Sequence, residues 1–246
     1  MSAQESSHRG SVQGTIRRRL LVNAVVDPDE ASRHLPAGLR PHSTDGGTVI
    51  GCCLLDVIDL RPPPLPSEVG TRLRAAAHRI SVEWTDEFGQ ANVGVFVPAR
   101  HTDSRVARVI GGRLFPGVHQ AAIVEIADDG HLLEWAVCPR DRGSPYAVRV
   151  RASLPASAAS APCEPIGGTC LAATIGISPA HRDGLETAYM EPEHRCAVPA
   201  VIEELDSAFI ASFASAIAAP SYLMRDVPVT WRRAPALDAN TIAVTT

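Results

Sequence analysis

The chain has 246 residues, 45% of them hydrophobic and 20% charged, with a formal net charge of −4, which fits a globular protein able to bury a sizeable core. Its 23 basic residues are all arginine and lysine is absent, which excludes a lysine imine, a P-loop lysine and covalent attachment of pyridoxal phosphate. Aromatic residues make up 4% and no basic stripe is interleaved with them, so no nucleic-acid partner is expected.

Residues 1–13 read as a disordered polar tail outside a single domain over 14–246. The N-terminus lacks the apolar stretch of a signal peptide, and no apolar run approaches the roughly 18 residues of a membrane span, so a cytoplasmic protein without a membrane partner is expected. TIRRRLLVNAVV (15–26) reads as a strand. Asp27 and Pro28 then suit the N-cap and first position of a short helix that Pro36 and Gly38 end. GTVIGCCLLDVIDL (47–60) is long and apolar enough for a buried strand, and RPPPLP (61–66) is a stiff extended loop. Residues 73–84 and 91–98 flank the turn DEFG as a hairpin or meander. Residues 103–115 predict a short helix capped by Asp103 or Ser104. HQAAIVEI, DDG and HLLEWAV (119–137) give the clearest hairpin signal. Residues 145–154 alternate as a strand, 156–163 form a loop, 184–190 and 226–232 read as strands, and 203–217 fits helix and strand equally. Many strands, few short helices and regular turns predict a single mainly β, barrel-like domain.

Six cysteines, at 52, 53, 138, 163, 170 and 196, do not read as a disulfide framework. Cys52 and Cys53 would point to opposite faces of a strand, a poor metal pair, and read as small buried hydrophobes. The nine histidines show no metal-ligand spacing, so no metal and no cofactor are expected. No nucleophile elbow, His-Glu-x-x-His or dinucleotide fingerprint occurs.

In the strand over 73–84, His78 shares a face with Ala76, Ile80, Val82 and Trp84, and Arg79, Ser81 and Glu83 take the other. His78 thus points inward, as a proton-transfer group or as a core histidine bonded to the backbone. His119 opens the next hairpin on the face of Ala121, Ile123 and Glu125, as a functional group or as a strand-end surface histidine, and Glu125 could orient its ring or act as a base. Arg17 and Arg19 share a face with Asn23, and a guanidinium there could clamp a carboxylate or enolate oxygen, or simply form surface salt bridges.

Three segments in order, LLVNAVVDPDEASRHLPAGLRP, GGRLFPGVHQA and AIAAPSYLMRDVPVTW, resemble the acetoacetate decarboxylase-like superfamily over roughly 15–232. They are similar to its opening strand and helix, its Gly-Arg-Glu and Pro-Lys-Lys region, and its closing segment; the likeness is to the branch that often lacks the catalytic lysine. The resemblance implies a cone-shaped, mostly antiparallel β-barrel with a few short flanking helices, an internal small-molecule pocket and a homo-oligomer. It places the family's early arginine at Arg17, with Arg19 within slippage, its lysine pair around Val118 and His119, and one glutamate near His78. A cofactor-independent enzyme is therefore expected, acting on a small carbonyl or polyketide-like substrate by acid–base chemistry and enolate stabilisation, as a cyclase, dehydratase or related lyase of secondary metabolism. His119, His78 and Arg17 are its expected catalytic set, with Arg19, Glu125 and Trp84 contacting substrate. A non-catalytic binding protein and a lysine-independent decarboxylase are the alternatives.

Overall fold

The computed structural model describes residues 10–44, 46–86, 88–113, 115–154, 164–165 and 174–234. Its long strands are β1 (Ser11–Val26), β4 (Gly47–Arg61), β5 (Thr71–Thr85), β6 (Ala91–Thr102), β13 (Cys196–Ser207) and β14 (Ile217–Arg233). Shorter ones are β2 (Arg40–Pro41), β3 (Ser43–Thr44), β7 (Gln120–Asp128), β8 (Leu132–Pro139), β9 (Val148–Ser153), β10 (Glu164–Pro165), β11 (Ile175–Pro179) and β12 (Leu185–Pro192). Among the described residues three short α-helices interrupt them: α1 (Pro28–Ser32), α2 (Arg105–Ile110) and α3 (Ala208–Ala211).

Local chemistry sets the breaks. Asp27 accepts a bond from the Asp29 amide at 2.7 Å with Pro28 opening α1, and Ser104 accepts from Ala107 N at 3.2 Å to open α2, as side-chain oxygens do at an N-cap. The β7–β8 turn is held by Asp129, which accepts from His131 and Leu132 amides at 2.9 and 2.7 Å. Residues 203–217, ambiguous in sequence, divide: β13 runs to Ser207, whose hydroxyl accepts from Ile210 N at 3.3 Å and turns the chain into α3, and β14 starts at Ile217. Residues 11–13, read as tail, pair with β14 as the start of β1. The expected strand at 226–232 is the end of a 17-residue strand, and the expected loop at 156–163 lies outside the described residues. Cys52, Cys53 and Cys138 are free thiols, whereas Cys196 is disulfide-bonded, against the sequence reading.

The mainly β expectation holds. One sheet runs β10-β13-β9-β8-β7-β6-β11-β12-β14-β1-β4-β5-β2 and closes on itself through further β5–β6 and β13–β14 pairings. The first closure makes a ring of β5, β6, β11, β12, β14, β1 and β4. The expected antiparallel order is broken at β6, which pairs in parallel with both β11 and β7. Among the described residues no helix is long and apolar enough to cross a membrane.

The β1–β4 and β4–β5 ladders give β4 two covered faces. Leu20, Val22, Cys52, Leu54, Ala76, Ile80 and Val82 face a large core completed by Leu133, Trp135 and Val150 from β8 and β9. Ile16, Val57, Leu73, Ala75, Met224 and Val227 form a second, smaller core on the opposite side. This second side lines the interior of the seven-stranded ring.

An ion-pair network ties the rim. Asp56 is fully buried and accepts from Arg18 at 3.0 Å and from Arg72 at 2.8 and 2.9 Å. Arg18 also bonds Asp128, which takes two further bonds from Arg225 at 2.7 and 3.0 Å. Burial works to raise the Asp128 pKa, but the Arg225 and Arg18 bonds outweigh it and hold the carboxyl well below the usual range. Replacing Asp56 by Ala should lower unfolding stability in urea by about 2–3 kcal/mol; this falls short of the roughly 3–5 of a wholly buried pair because Arg72 is half-exposed.

Candidate active site

Residues directly opposite one another in a ladder share a face. One row therefore runs Leu21–Cys53–Ala77–Arg100 across β1, β4, β5 and β6. The next runs Asn23–Gly51–Arg79, and the one on the other side Arg19–Leu55–Ala75–Thr102. Three arginines thus reach the ring interior around one cysteine. Arg19 is 5% exposed; its Nε lies 3.2 Å from Cys53 Sγ, and its Nη1 lies 3.7 Å from Met224 Sδ. Arg79, 2% exposed, donates to Asn23 Oδ1 at 2.9 Å. That bond crosses β4, and it crosses where β4 has no side chain. A Cβ on Gly51 would sit 2.1 Å from the Val22 carbonyl oxygen.

Arg100 lies against two further glycines. A Cβ on Gly117, whose φ is +107°, would be 3.2 Å from its Nη1, and one on Gly176 would be 3.6 Å from its Nη2. Glu186 holds the Gly117 amide at 2.5 Å. Burial brings the Arg100 pKa down to about 10, against the opposing influence of Glu186 and Cys53.

The two adjacent cysteines sit in opposite chemistry. Burial pushes Cys52 up to about 12. Cys53 is equally enclosed, and burial again acts to raise its pKa, but Arg19, Arg79 and Arg100 outweigh burial and bring it below the ordinary thiol value. A thiol ringed by guanidinium groups is a thiolate in waiting.

The predicted residues divide between the two faces. Arg19 and His119 belong to the arginine side. His119 precedes β7; it is half-buried, and its Nδ1 donates to the Gly117 carbonyl at 2.8 Å. Burial, then the nearby Arg100 charge, brings its pKa down to about 4, leaving a neutral ring with Nε2 as acceptor. His78 lies on the opposite face, fully buried, with Nδ1 3.2 Å from Cys52 Sγ and its ring 4.9 Å from Tyr146, 5.2 Å from Phe209 and 6.1 Å from His101. His78 and Arg19 therefore do not share a cavity. Arg17 is exposed, because register shifts in β1 between Ile16 and Arg18 break the simple alternation. Glu125 and Ile123 are exposed on the outer face of β7, where Glu125 lines an open groove with Glu134, Arg149 and Arg151. Trp84 is a core side chain packed over Gly94.

Arg79, Arg100, Cys53, Asn23 and Glu186 were not among the expected site residues. The signal for Arg79 and Ser81 was the two-sided apolar run of β4: a strand paired to it throughout hides its polar face as well. Among the described residues no three His, Cys, Asp or Glu side chains group as a metal site.

Neither family models nor curated protein sequences match the chain. Solved structures do. An acetoacetate decarboxylase from Legionella pneumophila superposes with a TM-score of 0.63 at 11% identity, covering 93% of this chain and 88% of that one. The enduracididine biosynthesis enzyme MppR complexed with pyruvate gives 0.64 at 11%, covering 94% and 90%. An acetoacetate decarboxylase-like enzyme from Sphingomonas wittichii RW1 gives 0.60 at 14%, covering 94% and 93%. This is the acetoacetate decarboxylase-like fold. At these identities the likeness is one of architecture, and the decarboxylase-like fold here encloses arginines and a thiol, with no lysine anywhere in the chain.

A neutral buried histidine has a pH signature. His78 is lowered from 6.5 to about 3, by burial and then by His101, so the unfolded chain binds its proton more readily than the folded one. Stability is complete above the unfolded value of 6.5 and falls as pH drops from there towards 3. Urea midpoints between these limits should show that slope, and His78→Gln should flatten it; an unchanged slope would place the acid sensitivity elsewhere.

Proposed function

We propose that this protein is an enzyme that binds a small oxoacid anion inside the seven-stranded ring and transfers a proton at the carbon next to its carbonyl, without an imine. The observation that carries the reading is that Arg19, Arg79 and Arg100 share the sheet face of Cys53 in its own and the neighbouring rows, with Arg19 in contact with its sulfur. Guanidinium groups pair with carboxylates bidentately and keep their charge when buried. They also stabilise the negative oxygen that develops as a carbonyl compound enolises. A shared site for carboxylate and enolate is what the cluster offers.

The proton needs a base. His119, at about 4, is a weak one near neutral pH, because a base works best with a pKa close to the working pH. Cys53 lies beside the Arg19 guanidinium, and three arginines bring its pKa below the ordinary thiol value, which favours the thiolate, the form that accepts a proton. In this assignment Cys53 takes the proton, the arginines hold the anionic oxygens, and His119 accepts a hydrogen bond through Nε2. Arg19 and His119 stay from the sequence reading; His78, Arg17, Glu125 and Trp84 leave it. The MppR structure holding pyruvate supports a ligand of this class. Cyclisations, dehydrations and lyase steps that start at the carbon next to a carbonyl begin with such an enolate, and the reading extends to those.

The test is hydrogen–deuterium exchange at the methyl group of pyruvate, followed by NMR in heavy water, with acetoacetate and oxaloacetate as further probes. The protein should accelerate exchange, and Cys53→Ala should reduce it by about 10²–10⁴-fold, the usual contribution of a positioned base. No acceleration on any of the three probes, or full activity of Cys53→Ala, refutes the assignment. Arg19→Met keeps the side-chain volume and removes the charge. It should weaken pyruvate binding by roughly 10- to 100-fold in calorimetry, equivalent to about 1.5–3 kcal/mol for a bond to a charged group.

A further inference from the structure

A strand has two edges. The β5 ladder occupies one edge of β6 along almost its whole length. The other edge is shared: β11 pairs with it in parallel at Val95 and Phe96, and β7 pairs in parallel at His101 and Thr102. Between these two partners, residues 97–100 pair with no strand on that edge among the described residues. The wall of the ring therefore has a notch four residues long.

A pocket of about 190 Å³ occupies this notch, bounded by residues 97–100 of β6, by Val118 and Gln120 at the start of β7, and by residues 178–181 where β11 ends. Arg100 lines it, lying against Gly117 and Gly176 and in the same row as Cys53. Ser178 lines the same pocket. It is 2% exposed, and its hydroxyl has no hydrogen-bond partner among the described residues. A buried hydroxyl left unpaired is costly, and one facing a pocket next to a guanidinium is placed to bond a polar ligand. His181, exposed on the outer lip, completes the mouth.

We infer that the notch between β11 and β7 is the port by which an anionic substrate reaches the buried arginines, with Ser178 as the donor that orients it on the way to Arg100. This rests on the oxoacid reading above for the identity of the anion, but not for the existence of the port. The size fits: 190 Å³ is about six times the share of one water in the liquid, room for an oxoacid of three or four carbons and too little for a polycyclic substrate. Charge fits as well, since Arg100 lines this pocket with a guanidinium.

The test labels Arg100 with phenylglyoxal, an arginine-specific dicarbonyl, and follows its peptide by mass spectrometry with and without pyruvate. In the native protein Arg100 should be labelled, and His181→Trp, which fills the mouth from an exposed position, should slow labelling at least tenfold while the thermal midpoint stays unchanged. Ser178→Ala should leave labelling intact and weaken pyruvate protection. Equal labelling in His181→Trp, or no labelling in the native protein, overturns the port. If His181→Trp blocks labelling while pyruvate gives no protection, the port stands and the oxoacid reading falls.

Discussion

Strand β4 is covered on both sides, and this governs the rest. Successive side chains on a strand point to opposite faces, so a doubly covered strand can place two incompatible environments one residue apart. Cys52 meets His78 in an apolar core. Cys53 meets Arg19 inside the ring. The two thiols shift in opposite directions, although they share a peptide bond. The ladders to β1 and β5 carry the same division outwards, so that Val22, Cys52 and His78 form one row and Leu21, Cys53 and Ala77 the next.

Collecting three guanidinium groups in a protein interior is costly unless they are bonded and partly neutralised. Here the compensation is spread over unlike groups. Arg79 uses the neutral amide of Asn23, Arg19 uses sulfur atoms on two strands, and Arg100 is balanced by Glu186 and Cys53. The sulfur atoms beside Arg19 are not the bidentate carboxylate that arginine matches best. The rim network differs: Asp56 and Asp128 each collect paired arginine bonds. The rim arginines are held by acids, while Arg19 in the ring interior is held by sulfur atoms, which bind a guanidinium less firmly than a carboxylate would.

The sequence disclosed the sheet more fully than the site, for a definable reason. Strand positions, the caps at Asp27 and Ser104, and the β7–β8 hairpin all follow from local chemistry, and each is present. The inward direction of His78 was also legible from alternation. What alternation could not reveal was that the other face of β5 is inward too, so Arg79 and Ser81 read as solvent-facing. Arg17 was misplaced by an irregularity in β1 that shifts the face by one residue. Arg100 on β6 and Glu186 on β12 were invisible because they are far apart in the chain and come together only at Gly117. The missing lysine was plain from the letters, and it directs attention to the arginines.

The unbroken registers have a consequence for how this chain can vary. From Arg18–Asp56 to Val26–Thr48, and from Ile50–Ile80 to Val57–Leu73, the ladders of β4 run without a shift, and the irregularities lie beyond these limits at Ile16/Arg18 and Val57/Leu60. Inserting or deleting one residue within that stretch would exchange the two faces of everything that follows, carrying Cys53 into the hydrocarbon core and Cys52 among the arginines. Length changes are therefore confined to the flanking loops, and divergence at the heart of the fold must proceed by substitution alone.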